Sequence, residues 1–140
     1  MSDSGAARTG RYVYDTQPDH ILARMHLWEV ETDTGPAIEV DALAELCNPH
    51  GSPHASVMAG LIDCAAAGAA VRATGTEMLA GADMTVRFLA PVKVGPARAR
   101  GRVIKAGRTS VIVQVDVVDV GADGRLVATA TMSFTRLDQR

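Results

Sequence analysis

The sequence predicts an α+β domain in which one long, buried helix packs against an antiparallel sheet of five to six strands. Three observations carry this expectation. A proline-free, Ala- and Gly-rich stretch runs from Ala55 to about Thr74, strict apolar alternation follows it, and short turns marked by Gly or Pro separate the alternating segments. The chain of 140 residues is the size of one ordinary domain, and 47% hydrophobic against 21% charged residues is a balance that builds a globular core.

The elements follow in order. Ser2 to Gly10 is small and polar, so residues 1–20 read as a mobile tail and residues 21–140 as a single domain. Met1 to Gln17 contains no apolar core of a secretory signal, and none is expected to act there. Ile21 to Glu31 and Ala37 to Val40 flank Thr34-Gly35-Pro36 and read as a hairpin, whereas Asp41 to Leu46 fits a helical turn or a continuing strand equally. In the helix, Leu61, Ile62, Ala65 and Ala69 share one face. Gly60 and Gly68 each cost about 1 kcal/mol of helix propensity against alanine, so a close approach of neighbouring backbone is expected there.

The second half alternates cleanly. Ala82, Met84, Val86 and Phe88 form one apolar row, and Pro91 to Gly95 marks the turn after it. Ala97, Ala99, Gly101 and Val103 alternate with Arg98, Arg100 and Arg102, and Gly107-Arg108 turns the chain again. Val111, Val113, Val115 and Val117 follow, then Gly121 to Gly124, then Leu126, Ala128, Ala130, Met132 and Phe134. Successive strands joined by short turns make an antiparallel meander.

Composition narrows the function. A net charge of -2 favours neither nucleic acid nor an anionic membrane, and Trp28, Tyr12 and Tyr14 are too sparse for a base-stacking surface. The apolar run from Val57 to Val71 is shorter than the roughly 20 residues that span a bilayer, and Asp63 interrupts it. Two cysteines, Cys47 and Cys64, form no disulfide framework and suit a reducing cytoplasm. Cys47, His50, His54 and Asp63 match no zinc spacing, so no metal is expected.

Asp63 is the one formal charge between Ala55 and Val71. A solvated helix face normally carries several charges, yet its neighbours at helical spacing are Ala59, Gly60, Ala66, Ala67 and Ala70. A carboxylate kept among such residues points to a chemical task. Cys64 points about 100° away around the helix and reads as a buried core cysteine. Ahead of the helix, Asn48-Pro49-His50-Gly51-Ser52-Pro53-His54 is a loop that delivers His54 and the Ala55 N–H to the helix N-terminus, where a developing oxyanion would be stabilised.

The pattern Asn48…Gly51…His54-Ala55…Asp63 resembles the loop-to-aspartate signature of hotdog acyl-CoA thioesterases, nearest to the phenylacetate-degradation and hydroxybenzoyl-CoA type. The strand Ala82 to Pro91 with its turn to Gly95, the Gly107-Arg108 turn and the Gly124 to Ala128 strand start are also similar, so the resemblance covers roughly residues 24 to 136. It implies a long helix wrapped by a curved antiparallel sheet, and an active site shared across a homodimer or within a homotetramer built as a dimer of dimers. Asp63 would be general base or nucleophile, Asn48 would hold the water or the carbonyl, and the Ala55 N–H would be the oxyanion donor. His54 would orient the substrate or assist the leaving sulfur, with Gly51 and Ser56 beside it. Apart from the resemblance, the Arg98, Arg100 and Arg102 stripe reads first as a solvated strand face and second as a site for the phosphates of coenzyme A, together with Lys93 or Arg108. No cofactor is implied beyond the coenzyme A of the substrate.

This chain departs from the family pattern in three places: Ala55-Ser56 replaces a glycine pair, Gly81 stands where relatives carry a hydroxyl, and Pro53 precedes His54. Two other readings therefore stay open. One is a dehydratase or hydratase acting on a β-hydroxyacyl thioester, for which His50-Gly51-Ser52-Pro53 and the helix acid give the layout. The other is an acyl-CoA-binding hotdog domain without catalysis.

Overall fold

The computed structural model of the protein describes residues 6–12 and 17–139. The elements are β1 (Ala7–Arg11), α1 (Ile21–Arg24), β2 (Trp28–Thr32), β3 (Gly35–Val40), α2 (Ala55–Thr74), β4 (Leu79–Phe88), β5 (Ala97–Ala106), β6 (Ser110–Asp119) and β7 (Arg125–Arg136). The strands form one seven-stranded sheet in the order β1-β2-β3-β5-β6-β7-β4. Every neighbouring pair is antiparallel.

The helix forms where the sequence places it, because both ends are capped. The His54 ring accepts the Ser56 N–H at 3.1 Å, and Gly75 adopts φ 73 while its N–H closes on the Val71 carbonyl at 2.7 Å. Val57, Met58, Leu61, Ile62, Cys64, Ala65, Ala66, Ala69 and Ala70 are all buried, so most of the circumference faces protein. By length and apolarity α2 would suffice to cross a membrane, and half of that stretch is buried inside the fold. The slim residue that lets helix meet sheet is on the strand. A Cβ at Gly101 would stand 2.8 Å from the Ala65 carbonyl oxygen, whereas Gly60 faces the flexible end of Met25 and Gly68 faces Arg72 of its own helix.

On the inner face, β6 buries Val111, Val113, Val115 and Val117 completely, beside Ala97 and Ala99 of β5 and Ala128, Ala130, Met132 and Phe134 of β7. Each buried valine of this kind contributes about 1.5 kcal/mol or more. The helix lies over β5 and β6, flanked by β3 and β7. At the sheet edge β4 is less covered: Met84 and Val86 are half-buried, and Phe88 is 54% exposed.

Three expectations change, and one open choice is settled. The sheet has seven strands because Ala7–Arg11, inside the stretch read as a tail, pairs with β2 as an edge strand. Two arginines of that strand, Arg8 and Arg11, lie over the Trp28 ring at 4.8 and 4.7 Å, and Arg8 pairs with Asp41 at 2.6 Å. Ile21–Arg24 is a single helical turn, capped by the His20 ring accepting the Leu22 N–H, and strand begins only at Trp28. The hairpin turns at Asp33-Thr34, since Gly35 and Pro36 already pair with Thr32 and Glu31. Asp41 to Leu46 contains a short 3₁₀ turn at Ala44–Leu46. Tyr14 and residues 1–5 of the expected tail lie outside the described residues.

Candidate functional site

The loop from Leu46 to His54 is held by its own hydrogen bonds. The His54 N–H donates to the Leu46 carbonyl at 2.8 Å, and the Asn48 N–H donates to the Ser52 carbonyl at 2.8 Å. Asn48 Oδ1 accepts the His50 N–H at 2.9 Å and the Ser52 N–H at 3.2 Å. This oxygen shapes the loop, which leaves only the amide nitrogen of Asn48 for a ligand. Gly51 supplies the turn with φ 85, a left-handed conformation that favours glycine.

At the head of α2 the donors are almost all taken. The His54 carbonyl accepts from Val57 at 2.9 Å and Met58 at 3.0 Å, and the His54 ring accepts from Ser56. The Ala55 N–H has no partner among the described residues. One unsatisfied donor therefore points out of the N-terminus of a 20-residue helix, where the dipole favours negative charge. His54 is the helix cap: Nδ1 lies 2.8 Å from Ser56 Oγ and accepts the Ser56 N–H, so in the neutral ring the proton sits on Nε2.

Beside this N–H opens a groove of about 510 Å³, lined by Asn48, His50, Ser52, Pro53, Ala55 and Met58 on one side and by Phe88 to Val92 on the other. Ser52, Pro53, Met58 and Val92 are buried and form its floor, while His50, Ala55, Phe88, Leu89 and Pro91 are exposed around its rim. Periodicity did not single out the second wall. Ser52 Oγ accepts the Val92 N–H at 3.0 Å, and the Asp119 carboxylate accepts from Lys93 at 2.7 Å, Val94 at 3.2 Å and Gly95 at 2.7 Å. Asp119 is 1% exposed. Its burial opposes ionisation, but the N–H groups of Gly95, Lys93, Val94 and Ala122 outweigh that and hold its pKa below the usual carboxylate value. A signal was present in the sequence: Asp119 stands in the inward register of Val111, Val113, Val115 and Val117, an acid in an apolar row.

Asp63 lies on the same helix, eight residues beyond Ala55, which is a rise of about 12 Å. No hydrogen bond or ion pair reaches its carboxylate among the described residues, and burial raises its pKa. Within the chain Asp63 and the Ala55 N–H are too far apart to act on one carbonyl. Cys64 beside it is pushed up to about 12 by burial and then by the Asp63 charge, so it is a thiol at neutral pH and no nucleophile. Among the described residues no cluster of His, Cys, Asp and Glu could hold a metal ion.

The arginine stripe lies elsewhere. Ala97, Ala99 and Gly101 face α2, so Arg98, Arg100 and Arg102 project from the opposite face of the sheet. Arg98 is buried there in an ion pair with Glu39 at 2.7 Å, and Arg100 donates to Thr32 Oγ1. Arg98 is thus committed to the sheet and is withdrawn as a phosphate ligand. Arg108 is exposed in the turn between β5 and β6. Within the chain the sheet separates this stripe from Ala55.

Comparison with known proteins places this arrangement. No curated protein matches the sequence. Among solved structures, a Bacillus halodurans protein solved with CoA superposes with a TM-score of 0.73 at 19% identity, covering 88% of this chain and 80% of that one. A Haemophilus influenzae thioesterase gives 0.73 at 17% identity, covering 86% and 85%. Zebrafish thioesterase superfamily member 2 gives 0.73 at 21% identity, covering 86% and 91%. These likenesses establish the hotdog fold. The family model of the thioesterase superfamily matches residues 50–133, from the loop before α2 to the last strand. The chain belongs to the thioesterase superfamily, a family of thioester hydrolases.

Proposed function

We propose that the protein is an acyl-CoA thioesterase whose active site is completed across a homodimer. The observation that carries this reading is the unpartnered Ala55 N–H at the helix head, opening onto an apolar groove. The half-buried, unpaired carboxylate of Asp63 supports it, and so does the separation of about 12 Å, which requires the acid of one subunit to serve the groove of the other. The edge of β4 supports the pairing, because a ten-residue strand with an open ladder edge and half-buried Met84 and Val86 suits a second copy. A structural neighbour solved with CoA supports coenzyme A as the thiol half of the substrate.

In this mechanism the thioester oxygen faces the Ala55 N–H and the carbonyl carbon faces a water near Asp63. The carboxylate takes a proton as the water oxygen attacks, and the tetrahedral oxyanion is stabilised by the N–H and the helix dipole. Collapse breaks the C–S bond, and the proton held on Asp63 passes to the leaving thiolate. The alternative use of Asp63 is direct attack to give a mixed anhydride, which water then opens. Asn48 Nδ2 is the donor available to the water or carbonyl, His54 Nε2 the donor available to the sulfur, and Arg100 and Arg108 the cations available to the phosphates. The free cysteines Cys47 and Cys64 support a cytoplasmic location.

The test is thiol release from short, medium, long and aromatic acyl-CoAs, with Asp63→Asn alongside and sedimentation to read the assembly. Turnover by a dimer that falls about 100- to 10,000-fold in the variant is expected. Retention of CoA esters without release would instead make this a binding domain. Hydration of a crotonyl thioester with no free thiol would make it a hydratase.

A further inference from the structure

The two walls of the groove are separately hydrogen-bonded units. In the wall after β4 every backbone donor from Leu89 to Gly95 is placed. Leu89 and Ala90 donate to the Val127 carbonyl at 2.8 and 3.2 Å, Val92 to Ser52 Oγ, and Lys93, Val94 and Gly95 to Asp119. Pro91 and Pro96 have no N–H to place. The opposite wall closes on itself through Asn48 and the pairing of His54 with Leu46. Among the described residues a single hydrogen bond joins the two walls. It is the one from Val92 N–H to Ser52 Oγ, made between residues 40 apart in the chain, at 2% and 8% exposure, in the groove floor.

We propose that Ser52 is a positioning residue that sets acyl selectivity, with Asp119 as the anchor of the wall it holds. The inference rests on the thioesterase reading. The wall of Phe88, Leu89, Ala90, Pro91 and Val92 is wholly apolar and takes the acyl group, while the facing wall carries the Ala55 N–H. The carbonyl must lie within hydrogen-bond reach of that N–H, so the distance between the walls decides how bulky an acyl group can be while its carbonyl stays aligned. The Ser52 clasp sets this distance. Neither Ser52 nor Asp119 touches the reacting atoms.

The experiment compares kcat/KM for acetyl-CoA and for the bulkiest ester the parent hydrolyses, in the parent, Ser52→Ala and Ser52→Thr. A purely structural loss scales both substrates alike and leaves their ratio unmoved. Freeing the wall is expected to shift the ratio about fivefold or more towards the bulkier ester in Ser52→Ala, while Ser52→Thr, which keeps the acceptor, stays within about twofold. A ratio within about twofold in Ser52→Ala overturns the proposal. Should Ser52→Ala fail to fold, Asp119→Asn loosens the same wall from its other end and must move the ratio in the same direction; an unmoved ratio there also overturns it. A parent that releases no thiol from any ester refutes the thioesterase reading and this proposal with it. An active parent with an unmoved ratio refutes the proposal alone.

Discussion

Replacing Asp119 by asparagine tests how the second wall of the groove is held. One carboxylate oxygen accepts from Lys93 and Val94 and the other from Gly95, with the two shortest contacts at 2.7 Å. Asparagine keeps one acceptor oxygen, turns an NH₂ group towards the remaining donor and removes the charge assistance from all of them. Hydrogen bonds to a charged acceptor contribute about 1.5 to 3 kcal/mol each. Lys93 and Val94 are exposed, so water can replace part of the loss. The net cost is about 2 kcal/mol, equivalent to a fall in Tm of about 6 °C for a domain of this size.

Urea unfolding at a series of pH values reads this directly. The folded pKa of Asp119 lies below its ordinary value of 3.8, so its contribution is complete above that value and is lost as pH falls through the folded pKa. The gap between parent and variant should therefore be full at pH 7 and should narrow as the pH falls below about 4. A variant within about 0.5 kcal/mol of the parent at pH 7 would refute the reasoning, as would a gap that does not narrow in acid.

Three further outcomes are expected. Burial raises the Asp63 pKa, so kcat/KM should rise with pH through a value above 3.8, and this limb should vanish in Asp63→Asn. Because an elevated folded pKa means that ionisation weakens the fold, Asp63→Asn should be no less stable than the parent at pH 7, by thermal melting, and any advantage should fade in acid; a lower Tm would reveal a partner for the carboxylate. Gly101→Ala puts a methyl 2.8 Å from the Ala65 carbonyl oxygen and 2.9 Å from the Ala69 Cβ, so α2 must shift. A loss of about 1 to 3 kcal/mol in chemical denaturation is expected, and an unchanged midpoint would mean that the helix–sheet contact yields easily.

By itself the sequence determined the elements whose signals are local. The proline-free stretch from Ala55 to Thr74 is the helix, and the alternating segments from Ala82 to Phe134 are four strands. The rows of β5 and β6 face inward at Ala97, Ala99 and Val111 to Val117, whereas Leu126 is exposed beside a register shift that buries Val127, and Phe88 stays exposed at the sheet edge. Asp63 was legible for a similar reason, as a lone charge in an apolar helix, and so was the loop that presents the Ala55 N–H. Tertiary structure decided whatever depends on pairing between distant segments. Alternation placed Arg98, Arg100 and Arg102 on one face, but only the packing of α2 against Ala97, Ala99 and Gly101 made that face the outer one and gave Arg98 to Glu39. Asn48 reads as a free ligand until its oxygen is seen to accept two N–H groups of its own loop. Ser52 meets Val92 across 40 residues and Asp119 meets Lys93 across 26. Such side-chain to backbone bonds have no period along the chain, because they satisfy donors that become buried only once the sheet has curled around its helix.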